Sequence, residues 1–145
     1  MLHVVCYISN SMHFMSPKEL ERLFSYAKNE NAKKDITGLL LFSEGTFVQV
    51  LEGENKTVNF LFESIMRDRR HDHVTIMMDR PIEKRLFDSY ETNSVLFGDL
   101  QGKKKLKSRI LLPSATQYTK SVWAILKPFF SLRQIGVRGM GLDSY

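Results

Sequence analysis

Gln49 is a primary amide in the middle of an otherwise apolar run, Thr46-Phe47-Val48-Gln49-Val50-Leu51-Glu52. Strand alternation puts Phe47, Gln49 and Leu51 on one face, and Val48 and Val50 on the other. An amide on a core-facing position needs hydrogen-bond partners, since burying it unpaired costs ~1–3 kcal/mol. A bound heterocyclic ligand would supply donors and acceptors. Tyr7, mid-way along an earlier strand, and Asn31, at the C-terminal end of a helix, are the polar groups that could join it. Taken singly, each has an ordinary role: Tyr7 as a core aromatic with its hydroxyl satisfied, Asn31 as a helix cap, Gln49 as a structural hydrogen-bonder.

Other chemistry is poorly served. There is no Gly-x-Ser-x-Gly, no phosphate-cradling glycine loop and no cysteine pair, so enzymatic turnover is not expected. His71-Asp72-His73 comes nearest to a metal cluster, but adjacent residues diverge and no third ligand is evident, so no metal is expected. Cys6, the lone cysteine, lies in an apolar strand and reads as a small buried hydrophobe. A single cysteine also rules out an intrachain disulfide framework and suits a reducing cytosol.

The elements that must position these residues follow from periodicity. Residues 2–9 read as a first strand. Ser16-Pro17-Lys18-Glu19 is a capping-box signature, and Leu20, Leu23, Phe24 and Ala27 continue a helix to about Asn29. Residues 36–42 make a second strand, and Ser43-Glu44-Gly45 turns tightly into the strand carrying Gln49. Val58, Leu61, Phe62, Ile65 and Met66 stripe a second helix that stops near Arg67 to Asp72. Residues 74–78 form a fourth strand and Arg85 to Thr92 a fifth. The order β-α-β-β-α-β-β is an α+β arrangement, the ferredoxin-like split βαβ, with two helices on one sheet face. First and third strands are then neighbours, so Tyr7 and Gln49 can face the same layer.

Length and composition fit one soluble domain of 145 residues: 43% hydrophobic, 26% charged, with a net charge of +5. The division expected is a domain over 1–95 and a C-terminal helical extension and flexible tail over 96–145. The extension holds one or two helices around Tyr118 to Leu132, with Pro128 kinking or ending the second, and a tail marked by Gly136, Gly139 and Gly141. Lys103, Lys104, Lys105, Lys107 and Arg109 read as a solvated loop or helix face; no recognised nucleic-acid motif accompanies them. No run approaches the ~20 apolar residues of a membrane span, and the first residues lack a secretory signal pattern, so the expected location is cytoplasmic.

Two strings, Asn31-Ala32-Lys33-Lys34-Asp35-Ile36-Thr37-Gly38-Leu39-Leu40 and Phe47-Val48-Gln49-Val50-Leu51-Glu52-Gly53, resemble those of BLUF domains, the flavin-binding blue-light sensors. Asp68-Arg69-Arg70-His71 is similar to that family's acidic-basic-His run after the second helix. The resemblance covers residues 2–92 and is to short, stand-alone members. It implies a non-covalently bound flavin, FAD or alternatively FMN, between the two helices. Asn31 would hold the ring's carbonyl edge, Ile65 would pack on the ring, and Asp68, Arg70 and His71 would lie near the ribityl chain or ring. Tyr7 and Gln49 would be the photochemical pair: Tyr7 yields an electron and proton on excitation, and the Gln49 amide is left rotated or tautomerised. The absorption would shift to the red, and the change would pass through Tyr90 and Thr92 to a separate partner protein, with self-association also expected. The chain departs from the family pattern at Glu30, Asp35 and Ser64, and at Tyr90 and Thr92, where the family carries tryptophan and methionine. The alternative reading is a light-insensitive flavin-binding or protein-interaction module of the same fold.

Overall fold

Ser16 opens the first helix as the sequence predicts: its hydroxyl accepts from the Glu19 N–H at 3.1 Å, and the Glu19 carboxylate accepts from the Ser16 N–H at 3.3 Å. In the computed structural model, which describes residues 1–94, 100–111 and 116–130, the elements run as follows. Strand β1 is Leu2–Ser11, helix α1 Pro17–Lys33, β2 Thr37–Ser43, β3 Thr46–Glu54, α2 Asn55–Met66, β4 His71–Pro81 and β5 Tyr90–Ser94; α3 Leu100–Leu111 and α4 Gln117–Leu126 follow. A 3-10 turn over Lys127–Phe130 follows α4, at Pro128, whose missing N–H ends the helical ladder.

The sheet order is β4-β1-β3-β2-β5, the split βαβ order with β5 added beside β2. Strand β3 is antiparallel to both β1 and β2, placing Tyr7 opposite Gln49 and Leu40 opposite Gln49 on the other side. One face carries Val5, Tyr7, Leu40, Phe47 and Leu51, packed with Leu20 of α1 and Val58 and Phe62 of α2. Both helices therefore cover the face that holds the tyrosine and the amide.

Three backbone details explain how the strands meet. Glu44 and Gly45 both have positive φ, 46° and 86°, as a two-residue hairpin loop of the primed type requires. Gly38 has φ 148°, and a Cβ there would lie 1.8 Å from the Val50 carbonyl oxygen; its N–H donates to Ser89 O at 3.1 Å, tying the approach to β5 onto β2. Asp35, standing where the family usually has glycine, adopts φ 56°. Aspartate tolerates this left-handed conformation better than most residues, and its carboxylate accepts from Arg85 Nη2 at 3.1 Å.

Several boundaries differ from the sequence reading. Helix α1 runs to Lys33 rather than Asn29, so Asn31 lies inside its last turn and is not the cap; its carbonyl accepts from Lys34 and Ile36 N–H. Strand β4 begins at His71 rather than 74, because two register shifts against β1 break the alternation that would have marked its start. The fifth strand starts at Tyr90, not Arg85. Residues ahead of it are held by a side chain: the Glu52 carboxyl, fully buried, accepts from Leu86 N at 2.8 Å, Phe87 N at 3.1 Å and Thr37 Oγ1 at 2.9 Å.

The chain divides into two units, Met1–Asn93 and Ser94–Tyr145. In the second, Lys104, Lys105, Lys107 and Arg109 are exposed on α3, while Leu106 and Ile110 are buried one turn apart. Val122, Trp123 and Leu126 are buried at helical spacing on α4. The glycine-marked tail and Leu132 lie outside the described residues. None of the described helices is long and apolar enough to cross a membrane.

Gly38→Ala should destabilise the protein by about 3 kcal/mol or more, because the new Cβ meets backbone rather than a movable side chain. Urea unfolding measures it; an unchanged midpoint would contradict the close approach of β2 to β3 described above.

Candidate functional site

The register that sets Tyr7 opposite Gln49 brings their side chains together: Gln49 Nε2 donates to the Tyr7 hydroxyl at 2.5 Å. The other end of the amide is also held. The Tyr90 hydroxyl, delivered by β5, donates to Gln49 Oε1. All three side chains are buried, Gln49 at 5% exposure. Gln49 has a second Nε2 hydrogen, and among the described residues no protein acceptor meets it. The demand for partners anticipated from the strand pattern is thus met in part by two phenols.

A cleft of about 340 Å³ opens beside Gln49, between α1 and α2. Its walls are apolar, from Leu23 and Ala27 of α1, Leu61 and Ile65 of α2, and Leu40 and Phe47 of the sheet. Asn31 reaches it from the last turn of α1 and is 4% exposed. Asp68, Arg70 and His71 line it from the segment joining α2 to β4. Every residue expected to touch a cofactor therefore lines one cleft, together with Tyr7 and Gln49. Tyr90 stands behind Gln49 instead of on the cleft wall. Thr92, two residues further along β5, is half-buried and away from the cleft.

The polar rim is pre-arranged. Arg70 donates to Asp68 through Nε at 3.0 Å and through Nη2, a two-pronged pairing. Those hydrogen bonds hold the Asp68 carboxyl below its usual range and the guanidinium above its own. His71 is fixed at both nitrogens: Nε2 donates to the Ile65 carbonyl at 2.7 Å, and Nδ1 meets the Ser9 hydroxyl at 2.7 Å. Its ring stands edge-on to Tyr7 at 6.0 Å, while Phe62 packs on Tyr7 at 5.5 Å. Burial pushes the Tyr7 hydroxyl well above its ordinary value, opposed by the Gln49 hydrogen bond, so the phenol keeps its proton. Tyr90 is raised for the same reason.

His71 is the part of the His71-Asp72-His73 run that serves the cleft. His73 Nδ1 pairs with the neighbouring Asp72 carboxylate at 2.9 Å, and no group of three or more metal-ligating side chains forms among the described residues. Burial raises the Cys6 thiol to about 12, so it is an unreactive core residue. Sequence reasoning missed Ser9 and Glu52. Ser9 is a small polar residue on an exit from an apolar strand. Glu52, a carboxylate inside the Val-Leu-Glu-Gly string, was the one available signal, because a charge there must be paired.

Comparisons with known proteins agree with this geometry. The family described as "BLUF: Sensors of blue-light using FAD" matches residues 2–93. The photoactivated adenylate cyclase alpha subunit of Euglena gracilis is 38% identical over 88 residues, which are 61% of this chain and 9% of that protein. The blue light- and temperature-regulated antirepressor BluF of Escherichia coli is 32% identical over 78 residues, 54% of this chain and 19% of that one. A solved structure of Klebsiella pneumoniae BlrP1 with FMN and cyclic diGMP superimposes with a TM-score of 0.72 at 28% identity, covering 90% of this chain and 34% of that chain. This chain thus spans about a tenth of the Euglena protein and about a third of the Klebsiella one. Because the match takes in well over half of its residues, the chain belongs to the BLUF family, the sensors of blue light using FAD.

Proposed function

We propose that this chain is a blue-light photoreceptor whose 1–95 segment binds a flavin non-covalently in the cleft between α1 and α2. The observation that carries the reading is Gln49, buried between Tyr7 and Tyr90 with one amide hydrogen still to be accepted at the cleft. The donor set suits the group. A flat, largely apolar tricycle fits between Ile65, Leu61 and Ala27, and its polar edge suits Asn31 and Gln49. A second hollow of about 310 Å³ shares Leu23, Tyr26 and Arg70 with the cleft and adds Arg22. Arg22 and Arg70 there suit the phosphates of FAD; FMN would use less of this space.

A bound flavin supplies blue-light absorption and, once excited, a strong oxidant. The protein supplies the rest. Tyr7, a neutral phenol in its buried site, can yield an electron and a proton. Gln49 can turn about its side-chain bond, and its hydrogen bonds change with it. Each rearranged hydrogen bond is worth ~0.5–1.5 kcal/mol net, enough to shift a balanced two-state element about two- to tenfold. Tyr90, bonded to Gln49 and borne by β5, carries that change to the strand that leads out of the domain; Thr92 lies next along the same face. Residues 96–145 form the extension that would meet a separate effector protein or a second copy of this chain. As a sensor of this family, the chain would act in the cytoplasm and not as an enzyme.

Purified protein should be yellow, and blue light should shift its flavin absorption reversibly to the red. Tyr7→Phe and Gln49→Leu should each retain flavin and lose the shift. A normal photocycle in either variant would overturn these roles, and a flavin-loaded wild type without any shift would favour the light-insensitive module.

The Asp68–Arg70 pair gives a pH test. The folded-state pKa of Asp68 is lowered, so its contribution is complete above the ordinary aspartate value of about 3.9 and is lost as pH falls through the lower folded-state value. The folded state of wild type should therefore lose stability in that acid window and release its flavin there. Asp68→Asn should bind a few-fold more weakly at pH 7, a modest effect for a partly exposed pair, with a flatter acid limb. Identical acid limbs, measured by flavin fluorescence on release, would show that the pair does not serve the flavin.

A further inference from the structure

We propose that Tyr90 is a positioning residue that holds the Gln49 amide in either of its two orientations without loss of a hydrogen bond, so that Tyr7, Gln49 and Tyr90 form a chain whose polarity can reverse. The inference rests on the photoreceptor reading for its consequence, though not for its geometry. In the structure the chain runs one way. Gln49 Nε2 donates to the Tyr7 hydroxyl, and the Tyr90 hydroxyl donates to Gln49 Oε1.

Each of the three groups can both donate and accept: two phenols and one primary amide. Turning the Gln49 amide by half a rotation exchanges Oε1 and Nε2. The Tyr7 hydroxyl then donates to Oε1, and Nε2 donates to the Tyr90 oxygen. Two hydrogen bonds exist before and two after. Every proton stays on its own heavy atom; only rotors move. The side chain at position 90 decides whether this is possible. An indole at 90 could donate to Oε1 but could not accept from Nε2, so the reversed arrangement would set N–H against N–H.

Tyr90 belongs to β5, so one rotation at Gln49 changes what the sheet edge presents, through a single phenol.

The test uses full-length protein loaded with FAD, isotope-labelled at glutamine, as wild type, Tyr90→Trp and Tyr90→Phe. In the dark, Tyr90→Phe should move the Gln49 side-chain carbonyl stretch to higher frequency and shift its amide NMR signals, because Oε1 loses its donor. After illumination, the red-shifted form of Tyr90→Trp should decay at least tenfold faster than wild type, equivalent to about 1.4 kcal/mol. Tyr90→Phe, which favours neither orientation, should stay nearer to wild type than Tyr90→Trp does. An unmoved Gln49 carbonyl in Tyr90→Phe would overturn the contact. Equal or slower decay in Tyr90→Trp would overturn the reversal. A wild type with no red shift would remove the photoreceptor reading, and the dark-state signals would still decide the Tyr90 contact.

Discussion

A primary amide buried in a sheet face is the constraint around which this domain is arranged. Gln49 offers two hydrogens and a carbonyl, and inside a low-dielectric core each unmet group is destabilising. Tyr7 meets one hydrogen from β1 and Tyr90 meets the carbonyl from β5, so two strands on opposite sides of β3 must be held in register for the amide to be satisfied. The remaining hydrogen belongs to a side chain that lines a ligand-sized cleft. Cofactor binding and sheet integrity thus draw on the same side chain. That is why a change in the ligand's hydrogen-bonding demand need not travel far before it reaches backbone.

The same strand solves a second problem on its other face. Glu52 lies three residues beyond Gln49, and alternation turns it away from the cleft. Its buried carboxyl gathers the Leu86 and Phe87 N–H groups and the Thr37 hydroxyl, while Arg85 Nη1 donates to Thr37 Oγ1 at 3.0 Å. The connection from β4 to β5 has no regular ladder of its own. This carboxyl holds it, and so determines where β5 begins and where the Tyr90 ring arrives. Gly38 completes the arrangement: lacking a Cβ, it lets β2 close on Val50 while its N–H takes the Ser89 carbonyl. Gln49, Glu52 and Gly38 lie within the two strings that carry the family resemblance.

How much of this was legible depends on whether backbone periodicity or a single side chain did the placing. Tyr7 and Gln49 were brought together on paper because strand alternation and the split βαβ order leave few other arrangements, and the register confirms their pairing. Asn31 was placed near the end of a helix, although its carbonyl bonds to Ile36 show that the helix runs past it. Tyr90 was different. The strand holding it was read from Arg85, since Leu86 and Phe87 look like strand residues, and nothing in their spacing reveals a carboxyl 34 residues earlier collecting their N–H groups. The start of β4 was hidden likewise, by bulges that spoil a period of two. Asp35 looked like a departure from a glycine position; its φ of 56° lies in the left-handed region that glycine favours.

Tyr90 shows why such a departure need not weaken the site. Read by residue type alone, a phenol in place of a larger aromatic seems a loss of packing area. Read by hydrogen bonding, it replaces a group that can only donate with one that donates and accepts. Two states of a buried network that contain the same number of hydrogen bonds differ little in free energy, so a small perturbation at one end can decide between them. A network satisfied in one arrangement alone would be rigid, and reversing it would leave a donor facing a donor. Bistability in such a site comes less from strong bonds than from groups that can exchange roles. The chain from Tyr7 through Gln49 to Tyr90 contains no other kind.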